Sequence, residues 1–399
     1  MNTQRAPLSE PIFVTGCGLV SPLGHSPDEF WRRLIGGESG IGEISKLVTS
    51  GLRNSRAGEV KNFVFDEDCG DEASAFAVVA AQNAAQNARW SDEQKRSCGL
   101  VFSTNFGGAA SWEACCDIAR DGDFEPEIFA QFLPDDAAKR LARRWKNRGP
   151  QLTLSNACSS GTHALGIAFD WLRIGRVSCV LAGGFDALGL STLAGLSILR
   201  TISPDQIRPF DAARNGTIFG EGAAFLALET ASSVQKRGAT PLARVLGYGV
   251  SNNAHHLTAP DAGGAGLALA MKKALQNAQI APENVGYINA HGTGTTMNDL
   301  AETQAIHEVF GAHARALAVS STKAATSHLM GGAGAIEAMA CVFALQNGVL
   351  PPTLNLENAG EGCDLDYIPN VAREAKIEVA LSNSSGIGGN NASILLGKI

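Results

Sequence analysis

Cys158 stands where an apolar strand gives way to a helix, in Leu152-Thr153-Leu154-Ser155-Asn156-Ala157-Cys158-Ser159-Ser160-Gly161. A thiol at a helix N-terminus faces unpaired backbone N–H groups and the positive end of the helix dipole. Both favour thiolate over thiol, so the expected chemistry is attack by a sulfur of lowered pKa. Most free cysteines are instead small buried hydrophobes. Two histidine loops change that balance. His291 lies in Asn289-Ala290-His291-Gly292-Thr293-Gly294-Thr295, directly after a predicted strand. The glycines around Thr293 let the backbone approach a ligand, and the Thr293 and Thr295 hydroxyls offer donors and acceptors. His328 also follows a strand, with Lys323 five residues ahead of it. Cys158, His291, Lys323 and His328 thus fall at strand C-terminal ends, the edge where open α/β sheets bind ligands. A fourth element, Asn383-Ser384-Ser385-Gly386-Ile387-Gly388-Gly389-Asn390-Asn391, reads as a hairpin turn whose N–H groups could complete an oxyanion hole. His255-His256 could line a pocket, whereas His25, His163, His307 and His313 read as helix or surface positions.

The elements that must position these groups alternate. Strands are expected at 11–16, 99–103, 151–157 and 178–182, with helices near 26–34, 73–89, 110–118, 137–146 and 164–172. The rhythm restarts with helices at 267–278, 301–310 and 334–346, and strands at 285–290, 317–321, 378–382 and 392–396. Strands alternating with helices imply parallel sheets covered by helices. The halves, split near residue 245, share element order without evident sequence identity, which hints at duplication.

Composition excludes several classes. A net charge of −7 over 399 residues is not that of a nucleic-acid binder. No apolar run reaches the roughly 18 residues of a bilayer span, and Met1 to Pro7 lacks the apolar segment of a leader, so a cytoplasmic location is expected. The nine cysteines show no ligand spacing for zinc or iron–sulfur and no disulfide framework.

The motifs together resemble the β-ketoacyl-acyl carrier protein synthases, condensing enzymes of the thiolase superfamily, over nearly the whole chain. The resemblance rests on Val14-Thr15-Gly16-Cys17-Gly18-Leu19-Val20-Ser21-Pro22-Leu23-Gly24, on Asn156-Ala157-Cys158-Ser159-Ser160-Gly161, and on Arg208-Pro209-Phe210-Asp211 with Asn215-Gly216 and Gly220-Glu221-Gly222-Ala223. The His291 and Lys323…His328 motifs follow in order. It implies an α/β, thiolase-like duplicated fold, five-layered α-β-α-β-α with two mixed sheets. Residues 1–245 would carry the nucleophile and 246–399 the two histidines. The implied reaction is a decarboxylative Claisen condensation. Cys158 would take an acyl chain as a thioester. His291 and His328 would bind the malonyl thioester carbonyl and stabilise the enolate. The backbone N–H groups of Cys158 and Ile387 would hold the oxyanion. Lys323 would orient the His328 loop, Glu337 would anchor Lys323, and Thr293 and Thr295 would contact a phosphopantetheine arm. No permanent cofactor or metal is implied. The implied partners are acyl carrier protein and a second subunit, either a copy of the chain or a chain-length-factor-like protein.

Three departures from the family pattern point to a specialised synthase, for polyenes or another secondary product. Ile387 replaces a gating aromatic, and Phe106 stands where a smaller apolar residue is usual. Residues 66–72 are acidic where relatives carry cations for the carrier. Docking then falls to Lys139, Arg140, Arg143, Arg144, Lys146 and Arg148, with Arg200 and Arg208 as further candidates. A degradative thiolase would need a second cysteine near the C-terminal turn, and Cys363 lies outside it. A non-catalytic chain-length factor would lack Cys158. A polyketide synthase module would need flanking domains.

Overall fold

The computed structural model describes residues 10–120 and 126–399. The first seven residues, on which the expected absence of a leader rests, lie outside that range. Ten strands form one continuous mixed sheet: β1 (Ile12–Val20), β2 (Gly99–Ser103), β3 (Gln151–Leu154), β4 (Cys179–Asp186), β5 (Gly222–Thr230), β6 (Ala243–Asn252), β7 (Tyr287–Asn289), β8 (Ala318–Ser320), β9 (Val379–Gly386) and β10 (Asn390–Gly397). Their order across the sheet is β8-β7-β9-β10-β6-β1-β5-β4-β2-β3. The first half runs outward from the centre as β1-β5-β4-β2-β3, the second as β6-β10-β9-β7-β8. In each half the first two pairings are antiparallel and the last two parallel. The two mixed halves meet only where Ile12–Val14 pairs antiparallel with Ala243–Val245. Strand–helix alternation accounts for the parallel pairings toward the two edges, and each half is mixed, as the family resemblance implied. Strands β5 and β6, absent from the sequence reading, supply the antiparallel partners.

Helices complete the layers: α1 (Glu72–Asn87), α2 (Asp136–Trp145), α3 (Ser160–Arg173), α4 (Leu190–Ile198), α5 (Ala265–Ala278), α6 (Thr296–Phe310) and α7 (Ala333–Asn347). Helices α3 and α7 pack on each other between the half-sheets, α1 covers the outer face of the first and α5 that of the second. Residues of α7 from Ala333 to Leu345 are all buried, as a helix walled on every side must be.

Glycine pairs set the spacing of the outer layers. A Cβ on Gly16 or Gly18 of β1 would come within 2.3 and 2.2 Å of the α1 carbonyls of Ala84 and Ala80. On Gly247 or Gly249 of β6 it would meet the α5 carbonyls of Ala274 and Ala270 at 2.6 and 2.2 Å. Each half thus repeats a Gly-x-Gly strand pressed on an alanine-rich helix, a trace of duplication that overall sequence identity conceals. Gly249→Val should force α5 off the sheet and lower stability by at least about 2 kcal/mol, read from a denaturant melt. Lys273→Ala, on the same helix with its side chain exposed, should change it by less than about 0.5 kcal/mol.

Candidate active site

The nucleophile sits on a strained elbow. Ala157 adopts φ 49°, a left-handed conformation unfavourable for a residue with a Cβ. It turns the chain from β3 into α3 and leaves Cys158 just ahead of the helix. Ser160 Oγ ties the elbow by donating to Ala157 O at 2.6 Å and accepting from Asn156 N at 2.7 Å. The β9–β10 turn packs against it: a Cβ on Gly386 would lie 3.0 Å from Cys158 N, and the Ile387 N–H bonds to the sulfur. Burial pushes the Cys158 thiol up to about 12, against the pull of Lys323 and of the Ile387 N–H. The lowered pKa expected from the helix N-terminus is thus overturned. Desolvation of a thiolate outweighs the dipole, and Cys158 rests as a thiol.

The histidines converge from the second half, with ring centroids 5.4 Å apart at 85°. His328 Nδ1 accepts from Met330 N at 3.1 Å, so its proton is on Nε2. His291 Nδ1 faces the Lys323 ammonium at 3.2 Å, which likewise leaves Nε2 as the donor. Burial holds both rings well below the ordinary histidine pKa, with Lys323 adding to it. The pair therefore presents two neutral N–H donors. Lys323, fully buried, also donates to His291 O at 2.5 Å and to the Glu337 carboxylate on α7. It clamps His291, whereas the sequence reading had it orienting the His328 loop.

The mid-chain signature and two acids of α6 hold these loops. His328 N donates to Ile218 O at 2.9 Å and Gly220 N to His328 O at 3.1 Å, so the chain on either side of Phe219 fixes the histidine's backbone. Gly216 N donates to Gly294 O at 2.9 Å. Glu302 accepts from the N–H groups of His291 and Gly292 at 2.9 and 2.8 Å. Asp299 accepts from Phe210 N at 2.7 Å and Gly294 N at 3.2 Å. Burial pushes both carboxyls up to about 6. Neither acid was singled out from the sequence; two acids three apart at a helix start after a glycine loop were the available signal.

Two cavities meet at Cys158, Phe219 and Ile387. One is lined by His291, His328, Thr293, Thr295, Asn253 and Thr258. The other is apolar, lined by Phe106, Leu196, Leu199 and Met330. Ile387 lines both, and Phe106 is part of the wall of the second. Thr293 and Thr295 share a hydroxyl contact of 2.9 Å. His255 and His256 are not lining residues of either cavity. The basic residues of α2 line neither cavity. Lys139 and Arg140 pair with Asp135 and Asp136. Part of the acidic 66–72 segment is structural: Asp71 caps α1 and Glu72 pairs with Lys46. Cys363 is buried away from both cavities, so no second cysteine joins Cys158.

A cysteine facing two neutral histidines in a duplicated five-layer fold defines a condensing enzyme of thiolase-like architecture. The chain belongs to the β-ketoacyl synthase family. Residues 9–233 match the family's "Beta-ketoacyl synthase, N-terminal domain" and 242–357 its "C-terminal domain". The chain is 36% identical to 3-oxoacyl-[acyl-carrier-protein] synthase 2 of Coxiella burnetii (97% of this chain, 98% of that protein). It is 39% identical to Nodulation protein E of Rhizobium meliloti (96% and 97%). The solved ishigamide ketosynthase/chain length factor superposes with a TM-score of 0.93 at 32% identity, covering 98% of this chain and 100% of that one. The chain is thus a condensing acyltransferase that elongates fatty-acid or polyketide chains.

With the thiol held near 12, alkylation of Cys158 by iodoacetamide should keep rising with pH through pH 10 without a plateau. Removing Lys323 raises the thiol further and removing Glu337 offsets part of that, so Lys323→Met with Glu337→Gln, which leaves no unpaired buried charge, should slow alkylation at pH 8 by about threefold. Intact mass against time reads both.

Proposed function

We propose that Cys158 carries the growing acyl chain and that His291 and His328 drive decarboxylation of a malonyl-carrier thioester in the adjoining cavity. The observation that carries this reading is the junction itself: a thiol between one apolar cavity and a second cavity that holds two Nε2–H donors. The Cys158 sulfur attacks the thioester of an acyl-carrier protein, its proton leaves with the phosphopantetheine thiol, and the acyl chain occupies the cavity beside Phe106. Malonyl-carrier then enters past Thr293 and Thr295. The His291 and His328 N–H groups bind its thioester carbonyl, carbon dioxide leaves, and the negative charge collects on that oxygen. The enolate carbon attacks the acyl-Cys158 carbonyl, whose oxygen is held by the N–H groups of Cys158 and Ile387. Collapse returns Cys158 and releases a 3-oxoacyl-carrier two carbons longer. Residues 1–245 supply the nucleophile and 246–399 the histidines.

Carrier docking is assigned to the rim of the cavity that holds the two histidines. Thr201 lines that cavity, and Arg200 beside it is exposed. Arg53 donates to Arg200 O, Arg56 donates to Asp205 O, and Arg208 pairs with Asp205. Four guanidinium groups therefore stand around the segment at the cavity mouth, where an acidic carrier can reach Cys158. The edge strand β3, with Leu152 exposed, offers a pairing edge to a second copy or a chain-length-factor-like subunit. The reading includes a cytoplasmic location, in keeping with nine free cysteines. Among the described residues no helix is long and apolar enough to cross a membrane. Phe106 in the wall of the acyl cavity, and relatives that include Nodulation protein E and the ishigamide ketosynthase, support a specialised chain over housekeeping elongation.

Incubation with acyl-carrier proteins should acylate Cys158, seen by peptide mass mapping, and Cys158→Ala should abolish the adduct; label on another cysteine refutes the mechanism. Arg200→Glu with Arg208→Glu should raise KM for the carrier by about tenfold, whereas Arg143→Glu on α2 should leave it unchanged. Plain long saturated primers should turn over more slowly than unsaturated ones, and equal rates would sink the specialised assignment.

A further inference from the structure

Asp186 closes β4, the place that Gly386 takes at the end of β9 in the second half. It is fully buried, and among the described residues no cation pairs with it. A carboxylate in such a place survives only if hydrogen bonds replace its water. Four donors do so. Thr104 Oγ1 donates at 2.6 Å, the N–H groups of Asn105 and Phe106 at 3.1 and 2.9 Å, and Gly331 N at 2.7 Å. The contact is tight: a Cβ on Gly331 would lie 2.8 Å from Asp186 Oδ2.

The donors come from two segments with different tasks. One carries Phe106, a wall of the apolar cavity, and Asn105, whose side-chain amide lies 3.2 Å from Ser160 Oγ of the nucleophile elbow. The other carries Met330, which lines the same cavity and whose N–H fixes His328 Nδ1. Oδ1 takes Thr104 and Phe106, the Asn105 N–H is shared between Oδ1 and Oδ2 at 3.1 Å each, and Oδ2 alone takes the Gly331 N–H of the second segment. We propose that Asp186 is a positioning residue that locks the Phe106–Met330 wall of the acyl cavity to the turn that sets the His328 tautomer. Acyl-chain fit and His328 orientation are then one property of the site. An asparagine in its place has one acceptor oxygen and turns an NH2 group toward a backbone N–H, so one of the two segments is released.

This inference rests on the condensation reading above, and the test separates the two. Wild-type protein is assayed with malonyl-carrier and short or long acyl-carrier primers; no condensation there would sink the reading itself. Asp186→Asn should lower kcat by about tenfold with KM for malonyl-carrier within about twofold, and shift the long-to-short kcat/KM ratio by about fivefold. Thr104→Val removes one donor, and the acceptor of the Gly107 N–H, but keeps the carboxylate; it should shift the same ratio by about twofold with a modestly lowered melting temperature. If Asp186→Asn does not fold, Thr104→Val decides. In 15N-histidine protein without substrate, the His328 Nδ1 resonance should move in Asp186→Asn. An unchanged primer ratio in the folded variants, or an unmoved resonance, overturns the proposal.

Discussion

The buried ammonium of Lys323 is the constraint on which the site depends. Taking such a charge out of water costs several kcal/mol unless partners repay it. Its partners are the Glu337 carboxylate, the His291 carbonyl and His291 Nδ1. Those three belong to the middle-layer helix and to the loop after β7, so the ion joins the core to the cavity wall. Its presence forbids a proton on His291 Nδ1 and thereby puts one on Nε2, where a substrate oxygen can meet it. The same charge disfavours a second proton on either ring and draws the Cys158 thiol downward. One residue thus biases the protonation of Cys158, His291 and His328, in each case second to burial.

Duplication explains how groups far apart in sequence reach one point. Cys158 follows β3 and His328 follows β8, the edge strands that hold the same place in their half-sheets. His291 follows β7, and Thr104 to Phe106 follow its counterpart β2. Helices α3 and α7, which begin just after Cys158 and His328, pack on each other and bring the two ends together. Motifs that sit on loops after predicted strands were legible because glycine, histidine and small residues there break the apolar runs around them. The Cys158, His291, Lys323 and Glu337 positions were visible for that reason or through family resemblance.

What the sequence hid has physical causes. Strand β5 reads Gly-Ala-Ala-Phe-Leu-Ala-Leu-Glu-Thr and is buried throughout, so it shows neither the alternation of a half-exposed strand nor the period of an amphipathic helix. Without β5 and β6, only the β9–β10 hairpin among the described strand pairs of the ten-stranded sheet is antiparallel. Asp186, Asp299 and Glu302 act on backbone N–H groups brought to them by tertiary folding, and no spacing rule encodes such partners. The polar 66–72 segment looked like a surface to be read for charge, yet Asp71 and Glu72 are consumed in capping α1 and pairing with Lys46.

A helix N-terminus lowers a thiol pKa only where the sulfur keeps enough water to carry its charge. The low-dielectric pocket that pushes Cys158 up is the one that keeps His291 and His328 neutral. A more hydrated site would free the thiolate and also let the rings protonate, replacing two aligned neutral donors with mutually repelling cations. Burial therefore trades resting nucleophilicity for a fixed donor pair. Thioester exchange tolerates the trade, because the departing phosphopantetheine thiolate can take the proton that Cys158 gives up. Decarboxylation has no such partner, since its negative charge develops on one oxygen within the cavity. Preorganised N–H donors in a dry site act most strongly on that charge, so the site's polarity is set by the second step and not by the nucleophile.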